Sequence, residues 1–261
     1  MQQKSISSFD RTEISYQINR ASSKQPFIIF IHGAGSNHTI YKPFFKAFEF
    51  NNFIAIDLRN HGNSGRSSPE KITIENLAKD IEAVVNTEEI NEIILIGNSL
   101  GATIAIEFYK NNRKKVKQIV LFTLFSKRYV CFSLGYQFIA TVLSPIIAPF
   151  SGWRKLTFQD YHKYRERPIW YYPYLDLRGT PIGTVVILAK ELFRYPLSFS
   201  SIIVPTLLFI SDDDWSTKNS IIRSDCKDNK HITIINLKAN HVPLTREYQK
   251  IVRLVKKFVN A

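Results

Sequence analysis

Ile94-Leu95-Ile96-Gly97-Asn98-Ser99-Leu100-Gly101 joins an apolar, strand-like run to Gly-x-Ser-x-Gly and passes straight into residues of helical spacing. A serine hydroxyl is a poor nucleophile until it is lifted clear of the backbone, aimed at a base and set beside amide donors that can hold an oxyanion. A strand, a sharp turn and a helix do all three. Glycines at 97 and 101 leave room where strand and helix crowd together, and Ser99 at the apex is expected in a strained backbone conformation. The five letters alone fit a plain glycine turn equally well, so the rest of the chain has to decide.

On either side of this turn, short runs rich in β-branched residues alternate with helical patterns. Residues 27–31, 53–57, 93–97, 117–122, 206–210 and 232–236 read as strands, several without polar alternation, as suits strands covered on both faces. Residues 41–50, 74–85, 100–112 and 245–259 carry apolar side chains at helical spacing. In the second of these, Ile74, Leu77, Ile81, Val84 and Val85 form one stripe. The alternation predicts an α/β fold with a mainly parallel central sheet and helices on both faces. The first twenty residues, broken at Asp10-Arg11-Thr12, read as an antiparallel hairpin at the sheet edge.

With 261 residues, 44% hydrophobic and 22% charged, the chain suits one large domain or a domain with an insertion, and global disorder is not expected. From 126 to 203 the rhythm breaks. The chain becomes aromatic and proline-punctuated between two sheet strands, which fits a mostly helical cap over residues 126–203 on a core of 1–125 and 204–261. Residues 129–153 carry no charge and lie between Lys127-Arg128 and Arg154-Lys155. That length suits a bilayer span. Gly135, Pro145, Pro149 and Gly152 argue for broken helices instead, and a single span would set the two halves of the sheet on opposite sides of a membrane. An apolar cap is the favoured reading, with shallow contact at a membrane surface as the alternative.

A formal charge of +13 invites a nucleic-acid reading, but charge alone supports only nonspecific attraction to acidic partners. The basic residues fall between Lys110 and Lys117, between Lys127 and Arg194, and on the last helical pattern with Arg246, Lys250, Arg253, Lys256 and Lys257. None forms a recognised nucleic-acid motif, so no nucleic-acid partner is expected. Cys131 and Cys226 offer neither metal-ligand spacing nor a disulfide framework, and two buried free thiols are expected. Met1 to Ser7 contain no apolar core of signal-peptide type, which makes a reducing cytoplasm the expected location.

Two further loops meet the serine turn. Ile28-Ile29-Phe30-Ile31-His32-Gly33-Ala34-Gly35 is a strand ending in His-Gly-x-Gly, whose Ala34 N–H is the expected oxyanion donor beside that of Leu100. His32 is expected to hold this loop by hydrogen bonds. Asp57-Leu58-Arg59-Asn60-His61-Gly62-Asn63-Ser64-Gly65 leaves a strand through polar residues and reads as a hydrogen-bonded turn.

His32-Gly33, the Asp57 to Ser64 loop and the Gly97 to Gly101 turn, in this order, resemble the α/β-hydrolase family over nearly the whole chain. The resemblance implies Ser, then Asp or Glu, then His along the sequence. It implies Asp214 in Pro205-Thr206-Leu207-Leu208-Phe209-Ile210-Ser211-Asp212-Asp213-Asp214, from its spacing to the proline, with Asp212 as the fallback. The remaining aspartates ahead of Trp215 then cap a helix or face solvent. In Asn240-His241-Val242-Pro243-Leu244 the resemblance implies His241 as the base. Ala102 and Ser211 stand where the family often carries glycine.

The implied reaction is acyl transfer to Ser99, with His241 taking its proton, Asp214 holding the imidazole, Ala34 and Leu100 binding the oxyanion, and no cofactor. The expected substrate is a small-molecule carboxylic ester or acyl thioester with an apolar acyl group. Phe132, Tyr136, Phe138, Ile139, Val142, Leu143, Ile146 and Ile147 would line its pocket or simply pack the cap. Basic residues such as Arg154, Lys155, Lys163, Arg165 and Arg167 would meet an acidic headgroup, carrier or membrane surface. Carbon–carbon bond hydrolysis of a dienoic ketone is the alternative reaction, since related enzymes share a Gly-Asn-Ser turn. A non-catalytic ligand-binding protein of the same fold is the alternative of another class.

Overall fold

The computed structural model describes residues 1–22, 24–131, 142, 146, 148–152, 154–163, 177–214 and 216–260. Strands β1 (Gln2–Ser7), β2 (Glu13–Asn19), β3 (Phe27–Ile31), β4 (Phe53–Ile56), β5 (Ile93–Asn98), β6 (Val116–Phe122), β7 (Thr206–Ser211) and β8 (Ile232–Leu237) form one eight-stranded sheet, ordered β1-β2-β4-β3-β5-β6-β7-β8. β1 and β2 make the expected antiparallel hairpin at one edge, β2 runs antiparallel to β4, and every later pairing is parallel.

The unbroken apolar strands follow from burial on both faces. Ile29, Ile31, Leu95, Ile119, Leu121 and Leu208 pack with helices α2 (Ile74–Thr87) and α3 (Leu100–Asn111). Their neighbours Ile28, Phe30, Ile94, Ile96, Val120 and Phe209 pack on the other side with α1 (Lys42–Ala47) and the C-terminal helix Tyr248–Val259. All five residues of the α2 stripe are buried. Thr73 caps that helix by accepting the Asn76 N–H at 3.2 Å, which satisfies one of its free amides.

The helical pattern expected over 245–259 is two helices, Pro243–Arg246 and Tyr248–Val259, because Glu247 leaves helical geometry at φ −105, ψ 20. The chain between β6 and β7 contains Phe158–Lys163 and Ile182–Arg194 as helices among its described residues. Leu188 and Leu192 of the longer helix join the core on the α2 and α3 side, whereas Leu156 and Tyr161 join the opposite one. The expected pocket residues Phe132, Tyr136, Phe138, Ile139, Leu143 and Ile147, with Arg165, Arg167 and Trp215, lie outside the described residues. Val142 and Ile146 are exposed. Among the described residues no helix is long and apolar enough to cross a membrane.

The expectation of two buried thiols holds only for Cys226. Cys131 is exposed. Its backbone N–H pairs with the Ser216 carbonyl at 2.9 Å, which anchors the main chain and leaves the side chain to solvent. Burial pushes the Cys226 thiol up to about 12, with the charge of Asp225 adding to it.

Candidate active site

Gly97 ends the apolar part of β5, and Ser99 stands between β5 and α3 at φ 54, ψ −116. A side chain is rarely held there unless its surroundings impose it. A Cβ at Gly97 would lie 2.4 Å from the Gly101 carbonyl oxygen, and one at Gly101 only 2.1 Å from that of Ile31. Both contacts are with backbone, so the turn requires glycine at these two positions. The Ser99 N–H bonds the Phe122 carbonyl at 2.9 Å, and its own carbonyl accepts the Ala102 N–H at 2.9 Å. The strained turn is thereby fastened to β6 and to the first turn of α3.

His241 follows β8 and reaches back across the sheet. Its Nε2 lies 3.1 Å from Ser99 Oγ, and its Nδ1 lies 2.8 Å from Asp214 Oδ2. Its ring packs at a steep angle to that of Phe125, with ring centroids 4.6 Å apart. Asp214 is buried and receives the Ser216 N–H at 3.0 Å on Oδ1, together with the Ser216 hydroxyl. Burial resists ionisation of this carboxyl, but the neighbouring His241 and the bonds from His241 and Ser216 outweigh it and hold the group below the ordinary carboxylate range. Asp212 and Asp213 are exposed, and Asp212 pairs with Arg223 at 3.4 Å. Of the three aspartates, the structure brings Asp214 to the imidazole.

The glycine loop lies against the same point. A Cβ at Gly33 would come 3.3 Å from Ser99 Cβ, so the Gly33-Ala34 stretch borders the serine. Leu100 opens α3, where its amide has no intrahelical acceptor. Two buried imidazoles hold the loop. His32 Nδ1 lies 2.7 Å from the Gly33 carbonyl while Nε2 accepts the Leu58 N–H at 3.0 Å. His61 Nδ1 lies 2.8 Å from the Arg59 carbonyl while Nε2 accepts the Gly35 N–H at 3.2 Å. Each ring is therefore a neutral tautomer, donor on Nδ1 and acceptor on Nε2. Asp57 organises the 57–65 loop by accepting the His38 N–H at 2.8 Å and the Asn63 N–H at 2.9 Å.

These two histidines carry a pH prediction. Burial first, and then the neighbouring His61, lower His32 to about 3, and burial lowers His61 to about 4 against its bond to Arg59. The unfolded chain takes up both protons below its ordinary value of about 6.5. Stability is therefore complete above that value and falls as the pH drops towards 4, at a limiting rate on the order of 1 kcal/mol per pH unit for each ring. The thermal midpoint should decline steadily between pH 7 and pH 5, before ordinary carboxylates titrate. A flat midpoint over that interval would contradict the neutral assignment.

Sequence reading missed Ser216 and Phe125. The Asp-x-Ser spacing at 214–216 is the available signal for the first, since an aspartate bonding the amide two residues on is a common turn. Nothing local marks Phe125 as a neighbour of His241. Among the described residues no group of three or more His, Cys, Asp or Glu side chains could hold a metal ion.

A mainly parallel sheet with helices on both faces and a strained serine turn between a central strand and its helix defines an α/β-hydrolase. Residues 22–228 match the family described as serine aminopeptidase, S33, and the chain belongs to that family. Among curated proteins, it is 28% identical over 100 residues to a Mycoplasma pneumoniae protein named as an esterase/lipase, covering 38% of this chain and 37% of that one. It is 29% identical over 104 residues to human protein phosphatase methylesterase 1, covering 38% and 27% respectively. The matched stretches thus span 37% and 27% of these relatives' own length. Among solved structures, an esterase from Exiguobacterium antarcticum superposes with a TM-score of 0.78 at 17% identity, covering 98% of this chain and 99% of that one. The enol-lactonase from Burkholderia xenovorans LB400 gives 0.79 at 17% identity, covering 99% and 100%. These likenesses establish the fold.

Proposed function

We propose that this protein is a serine hydrolase that cleaves a small-molecule carboxylic ester through an acyl-enzyme on Ser99. The observation that carries the reading is the continuous chain Ser99 Oγ to His241 Nε2 at 3.1 Å and His241 Nδ1 to Asp214 Oδ2 at 2.8 Å. His241 takes the Ser99 proton as the hydroxyl attacks the acyl carbonyl. Asp214, ionised, keeps the imidazole in the tautomer that leaves Nε2 free to accept, and then stabilises the imidazolium. The Leu100 and Ala34 amides hold the tetrahedral oxyanion, His241 returns its proton to the leaving alcohol, and water releases the acid by the same steps.

Ester chemistry is preferred because relatives named for esterase activity share the matched stretch. Residues 126–203 act as the cap that shapes the acyl site over a core of 1–125 and 204–261. Two free cysteines, one of them exposed, support a reducing cytoplasmic location. The test is turnover of short and long p-nitrophenyl esters beside acyl-CoA, lysolipid, dienoic-ketone and aminoacyl-p-nitroanilide panels. Turnover on the esters is the expected result. Exclusive turnover of the thioesters, ketones or anilides moves the reading to that bond, and binding without turnover on every panel replaces it by a ligand-binding role.

A further inference from the structure

Ser216 has no part in the reaction as set out above, yet it touches both Asp214 and His241. Its side chain is almost wholly buried, at 3% exposure for the residue. Its hydroxyl donates to Asp214 Oδ1, the carboxylate oxygen that His241 does not use. Ser216 Oγ itself lies 3.1 Å from His241 Nδ1, so the single Nδ1–H is shared between Asp214 Oδ2 and Ser216 Oγ. A hydroxyl has one proton to give and lone pairs to accept with. Here the proton goes to the carboxylate, which leaves a lone pair facing the imidazole.

The position of that hydroxyl is imposed from outside the acid loop. The Ser216 carbonyl accepts the Cys131 N–H at 2.9 Å, Thr217 pairs antiparallel with Val130, and the Lys218 N–H reaches the Tyr129 carbonyl at 2.6 Å. The stretch after β6 therefore clasps residues 216–218 main chain to main chain. Phe125, on the same stretch, presses on the imidazole ring. Acid loop and base are thus held by one neighbouring segment, with Ser216 Oγ between them.

We propose that Ser216 is a positioning residue for His241, clamping Asp214 through Oδ1 and supplying a second acceptor for the imidazole Nδ1–H. The proposal rests on the reading of Ser99, His241 and Asp214 as the hydrolytic machinery. It has a kinetic signature. The imidazolium exists only after Ser99 has given up its proton, and its Nδ1–H is then a much stronger donor than in the resting ring. Both acceptors gain strength at that moment, so the contribution belongs to the transition state and appears in kcat rather than in KM.

The experiment compares Ser216→Ala, Ser216→Thr and Ser216→Val with the wild-type chain and with Ser99→Ala. It measures kcat and KM on the best ester, the rate of labelling by a fluorophosphonate probe, and the thermal midpoint. Threonine and valine have the same shape and differ only by the hydroxyl, so their comparison survives a change in packing. Ser216→Ala and Ser216→Val should lose about tenfold to a hundredfold in kcat and in labelling rate, the range expected for a hydrogen bond to a charged group, with KM moving less than about twofold. Ser216→Thr should recover to within about threefold of wild type. Equal rates for the threonine and valine variants, or wild-type labelling by Ser216→Ala, overturn the role of Ser216 while leaving the hydrolase reading intact. Undiminished labelling of Ser99→Ala overturns the assignment of Ser99 as the nucleophile and this proposal with it.

Discussion

Ser99→Ala is expected to remove ester turnover by roughly four to six orders of magnitude and to abolish fluorophosphonate labelling, with the fold unchanged. The separation between activity and stability follows from how the turn is held. The serine side chain bonds His241, but the strained backbone is fastened through the Phe122 carbonyl and the Ala102 amide, which an alanine leaves in place. Alanine at φ 54 meets the same backbone restriction as serine, so the thermal midpoint should stay within a few degrees of wild type. The loss then reports chemistry alone. His241→Gln should be nearly as damaging, and Asp214→Asn should cost roughly ten thousandfold by inverting the bond that selects the tautomer. Residual labelling comparable to wild type in Ser99→Ala would assign the nucleophile to another residue.

The largest expected loss of stability lies away from the serine, at Arg59. This guanidinium is fully buried. It meets Asp80 through two bonds of 2.7 and 2.6 Å, Asp10 Oδ2 at 3.0 Å and the Lys71 carbonyl at 3.0 Å. Asp80, itself fully buried on α2, also takes the Ser8 hydroxyl at 2.6 Å. One side chain thus ties the β1–β2 turn, the 57–65 loop and helix α2 together. Arg59→Ala leaves the Asp80 carboxylate in the core without its countercharge, and the expected cost is about 3–5 kcal/mol in chemical denaturation. The double variant Arg59→Met with Asp80→Leu removes both charges and should recover most of that loss, because the penalty comes from the stranded charge more than from the missing attraction. A double variant as unstable as Arg59→Ala alone would place the cost in lost packing instead.

Much of this architecture was readable from hydrophobic period alone. All six expected strands of the parallel region and the N-terminal hairpin occur, with ends displaced by a residue or so. The reason is local. A strand covered on both faces needs apolar residues at every position, and a helix resting on it needs one stripe, so burial writes its geometry directly into the order of residues. The break at Glu247 was not readable, because the pattern of apolar residues continues through it while the backbone turns. The segment between β6 and β7 was legible only as an interruption. Its described helices divide their apolar residues between the two sides of the sheet, and no single period expresses a surface shared in that way.

The chemistry divides along the same line. Order and spacing along the chain are enough to mark Ser99 in its glycine turn, a cluster of aspartates after β7 and His241 after β8, because each depends on a short motif at the end of a predicted element. Spacing to Pro205 points to Asp214 with Asp212 as the fallback, but order and spacing do not show that Asp212 and Asp213 are exposed to water while Asp214 is buried against the imidazole. Nor do they reveal that Ser216 shares the same Nδ1–H, that Cys131 faces solvent, or that Arg59 is the buried link between three elements. Each of these is a contact between particular atoms of distant residues, such as the 3.1 Å bond between Ser99 and His241, which are 142 positions apart. A repeating pattern of hydrophobicity records which face of an element is covered, whereas a hydrogen bond across that distance depends on where the strands and loops close in space.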